Sequence, residues 1–381
     1  MALRTSTKNL INNQRKIGSH YFSSFTAISS HTKSVQKLTD GYKLSHTRPG
    51  SNCIIPAVGF GTRGEDNSKI GKATDGALKV GYRHLDCARS NENEKEIGQV
   101  LRDHFGKGLK REDIWITSKL KNSEHPPSVG LYLYVNDCED KSKRAKGTLE
   151  KKKKKKKGDG APAFAVEETI KNLGVNYLDS ILIEWPFRNH PKSVPTAFDI
   201  ESYGFTYKLL HELVAQKLVR CVGVANCSMT KLSLLFEFCE DWKLPKPCIN
   251  QVELHPYFQQ PKMRAFAQFH QITLCATTPL GIPQRFVPFF FFFFILLASP
   301  AQVVLRWHLD RGVVCIPNAT EESMIQQTAQ ALKVNLIEPH IQQINQLDKN
   351  HRLLRGEVYR WYQNQSWQEL WDFEDAQNVQ K

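Results

Sequence analysis

Three glycines and an acid raise the first chemical question. Gly59, Gly61 and Gly64 stand in "AVGFGTRGED" at the spacing G-x-G-x-x-G, and Asp86 follows about where a ribose-binding carboxylate is expected. In a dinucleotide-binding open sheet, such a loop runs straight into a helix whose N-terminus faces a pyrophosphate. Here Glu65 and Asp66 follow Gly64, placing two carboxylates where a phosphate would have to sit. Helical periodicity starts only near Ser68, read here as the N-cap. Pro56 interrupts the preceding run, which is poor for a central strand of an open sheet. The glycines do not specify a phosphate loop, and the chemistry has to be sought at other residues.

The elements say where to look. Eight strand-like runs follow one another: "IPAVGF", "YRHLD", "IWITSKL", "SILIEWP", "RCVGVAN", "CINQVEL", "ITLCATT" and "VVCIP". Amphipathic stretches separate most of them, and in the first, Ile70, Ala73, Ala77 and Val80 recur at helical spacing. Gly81, Gly106 and Gly174 stand where helices close. Eight strands, most followed by a helix, predict an α/β chain folded as a TIM (β/α)8 barrel, with the doubly wound open sheet as the alternative. In such a barrel, chemistry collects at the C-terminal strand ends. Those ends carry Gly61 and Thr62, Asp86, Lys119, Glu184, Asn226, Gln251, Thr278 and Pro317. An acid and a lysine on adjacent strand ends can form a buried ion pair, each keeping the other charged. Such a pair lowers the pKa of a third group beside it, which is one way to make a proton donor near neutral pH.

Charge and cysteines narrow the class. The formal net charge is +14. Residues 1–39 carry six Lys or Arg and no acid, and residues 130–160 hold eleven bases and five acids. Removing +6 and +6 leaves +2 for the body, so a nucleic-acid surface loses its support. The nine cysteines include no C-x-x-C pair and no Cys/His cluster, which points to buried thiols and no zinc site. "HELVA" at His211 lacks the second histidine of a zinc helix, since Ala215 stands there. The acid-free N-terminus has the composition of a mitochondrial transit peptide; a solvated tail on a cytosolic protein is the other reading.

Two segments break the barrel pattern. Residues 130–160 end in Lys151–Lys157, a self-repelling run read as a disordered basic insertion. Phe289–Phe294 lies in an apolar run, 286–298, of thirteen residues, too few to span a bilayer. That run, ended by Ser299, Pro300 and Gln302, falls where the seventh helix belongs, so the seventh βα unit is expected to be disrupted. Both segments have the look of translated intron. The domain reading is a tail or leader over 1–39 and one barrel over 41–381, with 130–160 and 286–299 foreign to it.

Taken in order, "GYRHLDCA", "NEKEIG", "REDIWITSKL", "LGVNYLDSILIEWP", "VGVAN", "NQVELHPY", "TPLG" and "VVCIPN" resemble the signature blocks of the aldo-keto reductase superfamily. They run from about Tyr42 to Ile325. The resemblance implies a TIM barrel that reduces aldehyde or ketone carbonyls to alcohols with NADPH, acts on small molecules, and works as a monomer without nucleic acid or membrane. It also implies a catalytic group of aspartate, tyrosine, lysine and histidine. Asp86 and Lys119 match the first and third; Asn91 stands at the tyrosine position and Glu184 at the histidine position. Asparagine has no titratable proton, so the site is expected to be impaired unless Glu184 donates instead.

The cofactor residues that the resemblance implies are Gly61, Thr62, Asp86, Asn226, Gln251, Thr277, Thr278, Leu280 and Asn318. Ala225 replaces a serine beside Asn226, and Thr277 replaces the tyrosine that stacks on the nicotinamide. Asn318 and Met324 stand where a lysine and an arginine grip the 2′-phosphate of NADPH, which leaves NAD(H) open as the cofactor. The competing expectation is a catalytically inactive barrel that binds a nucleotide or a protein. The aromatic C-terminus, with Trp361, Tyr362, Trp367, Trp371 and Phe373, either lines a substrate pocket or packs on the barrel.

Overall fold

The eight strand-forming runs assemble into one parallel sheet that curls on itself. The computed structural model describes residues 35–47, 52–64, 66–126, 162–189, 195–281 and 298–374. Barrel strands are β3 (Phe60–Gly61), β4 (His84–Asp86), β5 (Trp115–Leu120), β6 (Leu178–Glu184), β7 (Val219–Ala225), β8 (Ile249–Glu253), β9 (Thr273–Thr277) and β10 (Val314–Ile316), hydrogen-bonded in that order. Parallel bridges Val58–Cys315 and Gly61–Asn318 bring the first strand against the last, making the sheet a nearly closed barrel. The TIM-barrel expectation holds, and the open-sheet alternative does not.

"IPAVGF" divides where one strand was expected. Ile54–Pro56 (β2) pairs antiparallel with Gly41–Lys43 (β1), and only Phe60–Gly61 joins the barrel. Pro56 thus ends a hairpin strand, where its missing N–H costs no barrel bond. The hairpin stops the N-terminal end of the barrel. Leu44, Cys53 and Ile55 pack into one buried cluster with Trp115, Leu182, Cys221, Ile249, Cys275 and Val314 of the barrel strands.

Helices cover the outside. They are α1 (Asn67–Val80), α2 (Glu94–Phe105), α3 (Pro162–Leu173), α4 (Ile200–Ala215), α5 (Met229–Asp241), α6 (Pro261–Phe269), α7 (Pro300–Asp310), α8 (Glu322–Ala329) and α9 (Glu338–Asn345). The cap of α1 is Asp66, not Ser68: its carboxylate accepts the Ser68 N–H at 2.9 Å. One carboxylate after the glycines therefore serves the helix itself. Gly98 lets α2 press against α3, because a Cβ there would overlap the Asn172 carbonyl. The seventh helix lies after the phenylalanine run. Ser299 and Gln302 form a reciprocal capping box with Pro300 in the first turn, so the residues expected to end the apolar run instead start α7.

The N-terminal tail, the basic insertion and the phenylalanine run itself lie outside the described residues. Among the described residues no helix is long and apolar enough to cross a membrane. Eight of the nine cysteines are described, and all eight are buried thiols.

Candidate active site

Strand register gathers the site at the C-terminal end of the barrel. Gly61 lies level with Asp86, Glu184 with Ala225, and Ala225 with Gln251. Asp86 is the centre. Its Oδ2 accepts Lys119 Nζ at 2.6 Å, and its Oδ1 accepts Gln251 Nε2 at 2.9 Å. Lys119 Nζ also donates to the Cys87 carbonyl at 3.1 Å. The Asp86 carbonyl receives the Thr62 N–H at 3.1 Å and the Thr62 hydroxyl at 3.0 Å. Asp86 and Lys119 are both buried, so each charge depends on the other. Beneath them His84 bridges the Pro56 carbonyl and the Thr117 hydroxyl, and burial lowers its pKa to about 4. It is a neutral supporting residue.

Glu184 ends β6, the strand paired with the one that carries Lys119, and is half-buried. Burial holds its pKa above the usual carboxylate range, opposed by the Lys119 charge, the nearby Ser90 hydroxyl and the Arg63 charge, with Asp86 adding to the rise. Its carboxyl is therefore kept in the acid form to a higher pH than an exposed glutamate. Ser90 and Asn91 lie on the turn Arg89–Asn91. Arg89 ties that turn to Glu124 at 2.7 Å and to Glu168 at 2.8 Å. The Asn91 carbonyl accepts from Asn67 Nδ2 at 3.1 Å, and Asn93 donates to the Thr62 carbonyl at 2.8 Å. Ser90 gave no signal in the sequence, because its partner is 94 residues away.

The remaining expected cofactor residues spread along one side. Asn226 takes a left-handed conformation (φ 57°) just past β7, and its side-chain oxygen is buried without a hydrogen-bond partner. Thr277 ends β9, and Thr278 follows it with its hydroxyl on the Thr277 carbonyl at 2.8 Å. Leu280 packs against the cluster of Tyr257, Val303 and Trp307 and against the main barrel core. Asn318 is exposed and donates to the Arg63 carbonyl, and Met324 is exposed too. Of the C-terminal aromatics, Trp361, Trp367 and Trp371 pack as one cluster with Phe187 and Leu370, with Trp185 and Tyr359 against it, while Tyr362 and Phe373 are exposed. Trp371 meets Trp185, the residue after Glu184, at 5.4 Å between ring centroids.

The model of the Aldo/keto reductase family matches residues 57–284, the span that carries Asp86, Lys119, Glu184 and Gln251. The chain belongs to the aldo/keto reductase family. This family member is 33% identical over 341 residues to an aldo/keto reductase of Synechocystis, covering 84% of this chain and 93% of that one. It is 30% identical over 322 residues to human aldo-keto reductase family 1 member A1, covering 79% and 88%. Over 315 residues it is 30% identical to the 9,11-endoperoxide prostaglandin H2 reductase of Trypanosoma cruzi, covering 79% and 93%. Among solved structures, an aldo-keto reductase of Bombyx mori in complex with NADP superposes with a TM-score of 0.64 at 25% identity, covering 84% of this chain and 95% of that one. A second aldo-keto reductase, complexed with NADPH, gives a TM-score of 0.68 at 23% identity and supports the shared fold.

Proposed function

We propose that this reductase converts small aldehyde or ketone carbonyls to alcohols with a reduced nicotinamide cofactor, and that Glu184 supplies the proton. The observation that carries the reading is the buried Asp86–Lys119–Gln251 cluster with Glu184, whose pKa burial raises, at the end of the strand next to Lys119. The chain's residues fit a nicotinamide at one end. The unpartnered, buried side-chain oxygen of Asn226 is an acceptor waiting for a carboxamide N–H, and Gln251 is fixed beside it by Asp86. NADP and NADPH are what the two structural relatives hold. When bound, a reduced nicotinamide supplies hydride.

The chain's own groups must do the rest. Reduction at the carbonyl carbon leaves an oxygen that needs one proton. Glu184 in its acid form donates it and becomes a carboxylate. The Lys119 ammonium, held by Asp86, supplies positive charge to offset the negative charge developing on either oxygen. Asn91 has no proton to give.

The 2′-phosphate end fits less well. Asn318 and Met324 offer no cation, and each charge-assisted bond forgone is worth about 1.5–3 kcal/mol. Together that amounts to roughly a hundredfold or more in affinity. NAD(H) is therefore a competent alternative, and we expect the two cofactors to bind within about tenfold of each other.

A second reading has its own observation. Asn91, Asn318 and Met324 together suit a barrel that keeps a nucleotide without turning it over. Aldehyde-dependent oxidation of NADPH or NADH by the purified protein separates the two. Turnover that disappears in Glu184→Gln supports the reductase. Nucleotide binding with no turnover, in the native chain or in Asn91→Tyr, supports the silent barrel.

A further inference from the structure

Asn122 lies two residues past β5, the strand that carries Lys119, on a short turn, Asn122–Glu124. It is buried, and both polar atoms of its amide are hydrogen-bonded. Nδ2 donates to the Glu184 carbonyl at 2.7 Å and to the Phe187 carbonyl at 2.6 Å. Oδ1 accepts the Tyr359 hydroxyl at 2.9 Å. Three elements meet at this side chain: the lysine strand, the glutamate strand end and the C-terminal segment.

The segment it holds does not adopt its shape unaided. Trp185 sits between the two carbonyls with φ 61°, a conformation that a bulky residue enters only when its surroundings impose it. Its N–H still pairs with the Ala225 carbonyl at 3.0 Å. The ring is seated by Gly356, where a Cβ would come within 2.6 Å of the indole. Tyr359 packs against both rings, tilted 5.0 Å from Trp185 and stacked 6.0 Å from Phe187. The base is firm as well, since the Lys121 N–H donates to Glu124 at 2.9 Å and Glu124 pairs with Arg89.

We propose that Asn122 is the positioning residue for Glu184: its two N–H bonds fix the 184–187 turn so that the carboxyl stays turned in towards Lys119, with Tyr359 as the backstop. The proposal rests on reading Glu184 as the proton donor. Asn122 itself touches no reacting atom. Without its two donors the turn relaxes, water reaches the Glu184 carboxyl, and the carboxyl titrates like an ordinary glutamate.

The test follows Glu184 directly. The full chain is labelled with glutamate carrying a 13C side-chain carboxyl, and NMR spectra are recorded against pH for the native protein, Asn122→Ala, Asn122→Leu and Tyr359→Phe. Glu184→Gln identifies the signal by its loss. The expected result is a lower titration midpoint in both Asn122 variants and a smaller shift the same way in Tyr359→Phe. In turnover, kcat falls about tenfold or more in the Asn122 variants, while KM and nucleotide Kd change less than threefold. Leucine keeps the bulk and removes the donors, so a native midpoint in Asn122→Leu overturns the proposal, as does an unmoved midpoint in Asn122→Ala. Should the alanine and leucine variants not fold, Tyr359→Phe decides: an unmoved midpoint there overturns the proposal. A midpoint that moves in a chain showing no turnover sustains the positioning role and removes the proton-donor reading.

Discussion

Glutamine at position 184 keeps the size of the side chain and removes its proton. If Glu184 is the acid, Glu184→Gln should lower kcat by about a hundredfold or more, the scale of a lost general acid. The pH profile carries the sign. Burial raises the Glu184 pKa, so the competent acid form is present at low pH and is lost as pH rises through that value. A log plot of kcat/KM should fall with unit slope on the alkaline side, and Asn91→Tyr should move that limb up by adding a second donor. The turn bearing Asn91 is held by the Arg89 ion pairs, so a tyrosine grafted there meets a fixed backbone. Lys119→Met makes the complementary point, stranding a buried Asp86, and should destabilise the fold by about 3–5 kcal/mol in denaturant melts. Asp86, Lys119 and Gln251 were legible in the sequence because parallel strands bring their ends together whatever the loops do. Asn122 and Tyr359 were not, since the bond between them spans 237 residues and no local pattern announces it.

Between the elements, the C-terminal segment is the one that titration can loosen. Glu374 accepts the Met229 N–H at 2.9 Å and the Thr230 N–H at 2.7 Å, capping α5 from a distant part of the chain. Asp372 pairs with Lys231 at 2.5 Å next to it. Burial pushes the Glu374 carboxyl up to about 7, opposed by those backbone donors and assisted by Asp372. A raised acid pKa means that the docked state binds the proton more tightly than the undocked state. Docking is therefore strongest below the ordinary glutamate pKa of 4.5 and weakens as pH rises through about 7. Hydrogen exchange at Leu370–Trp371 should accelerate, beyond the intrinsic base-catalysed rise, between pH 5 and 8 in the native chain, and Glu374→Gln should abolish that excess. At the same scale, some element boundaries are ambiguous in the sequence. Ser299, Pro300 and Gln302 look like a stop after an apolar run, but the same three types open a helix when an amphipathic stretch follows. "IPAVGF" has the composition of one strand, and only the pairing with Gly41–Lys43 reveals that it serves two sheets. The other barrel strands overlap their sequence runs, although His84–Asp86 and Ile249–Glu253 bury polar residues along with apolar ones.

At the scale of the whole barrel, thiols report closure. Cys53, Cys221, Cys248, Cys275 and Cys315 are shut inside or against the sheet, and Cys87, Cys227 and Cys239 are buried beside it. In the native state at most one of the nine cysteines should react with a thiol reagent, and the other eight should become reactive together in one cooperative denaturant transition. The barrel also delivers the nucleotide side as a unit, so affinity can be changed without touching the chemistry. Asn318→Lys with Met324→Arg should tighten NADPH by roughly a hundredfold and leave NADH almost unchanged, read by fluorescence titration. The most direct test of the account is a paired assay on the full chain: carbonyl-dependent oxidation of NADPH and NADH, native against Glu184→Gln. The account predicts measurable turnover in the native protein and a loss of about a hundredfold or more in the variant, with nucleotide affinity preserved. Equal turnover in both proteins, or none in either, would contradict it.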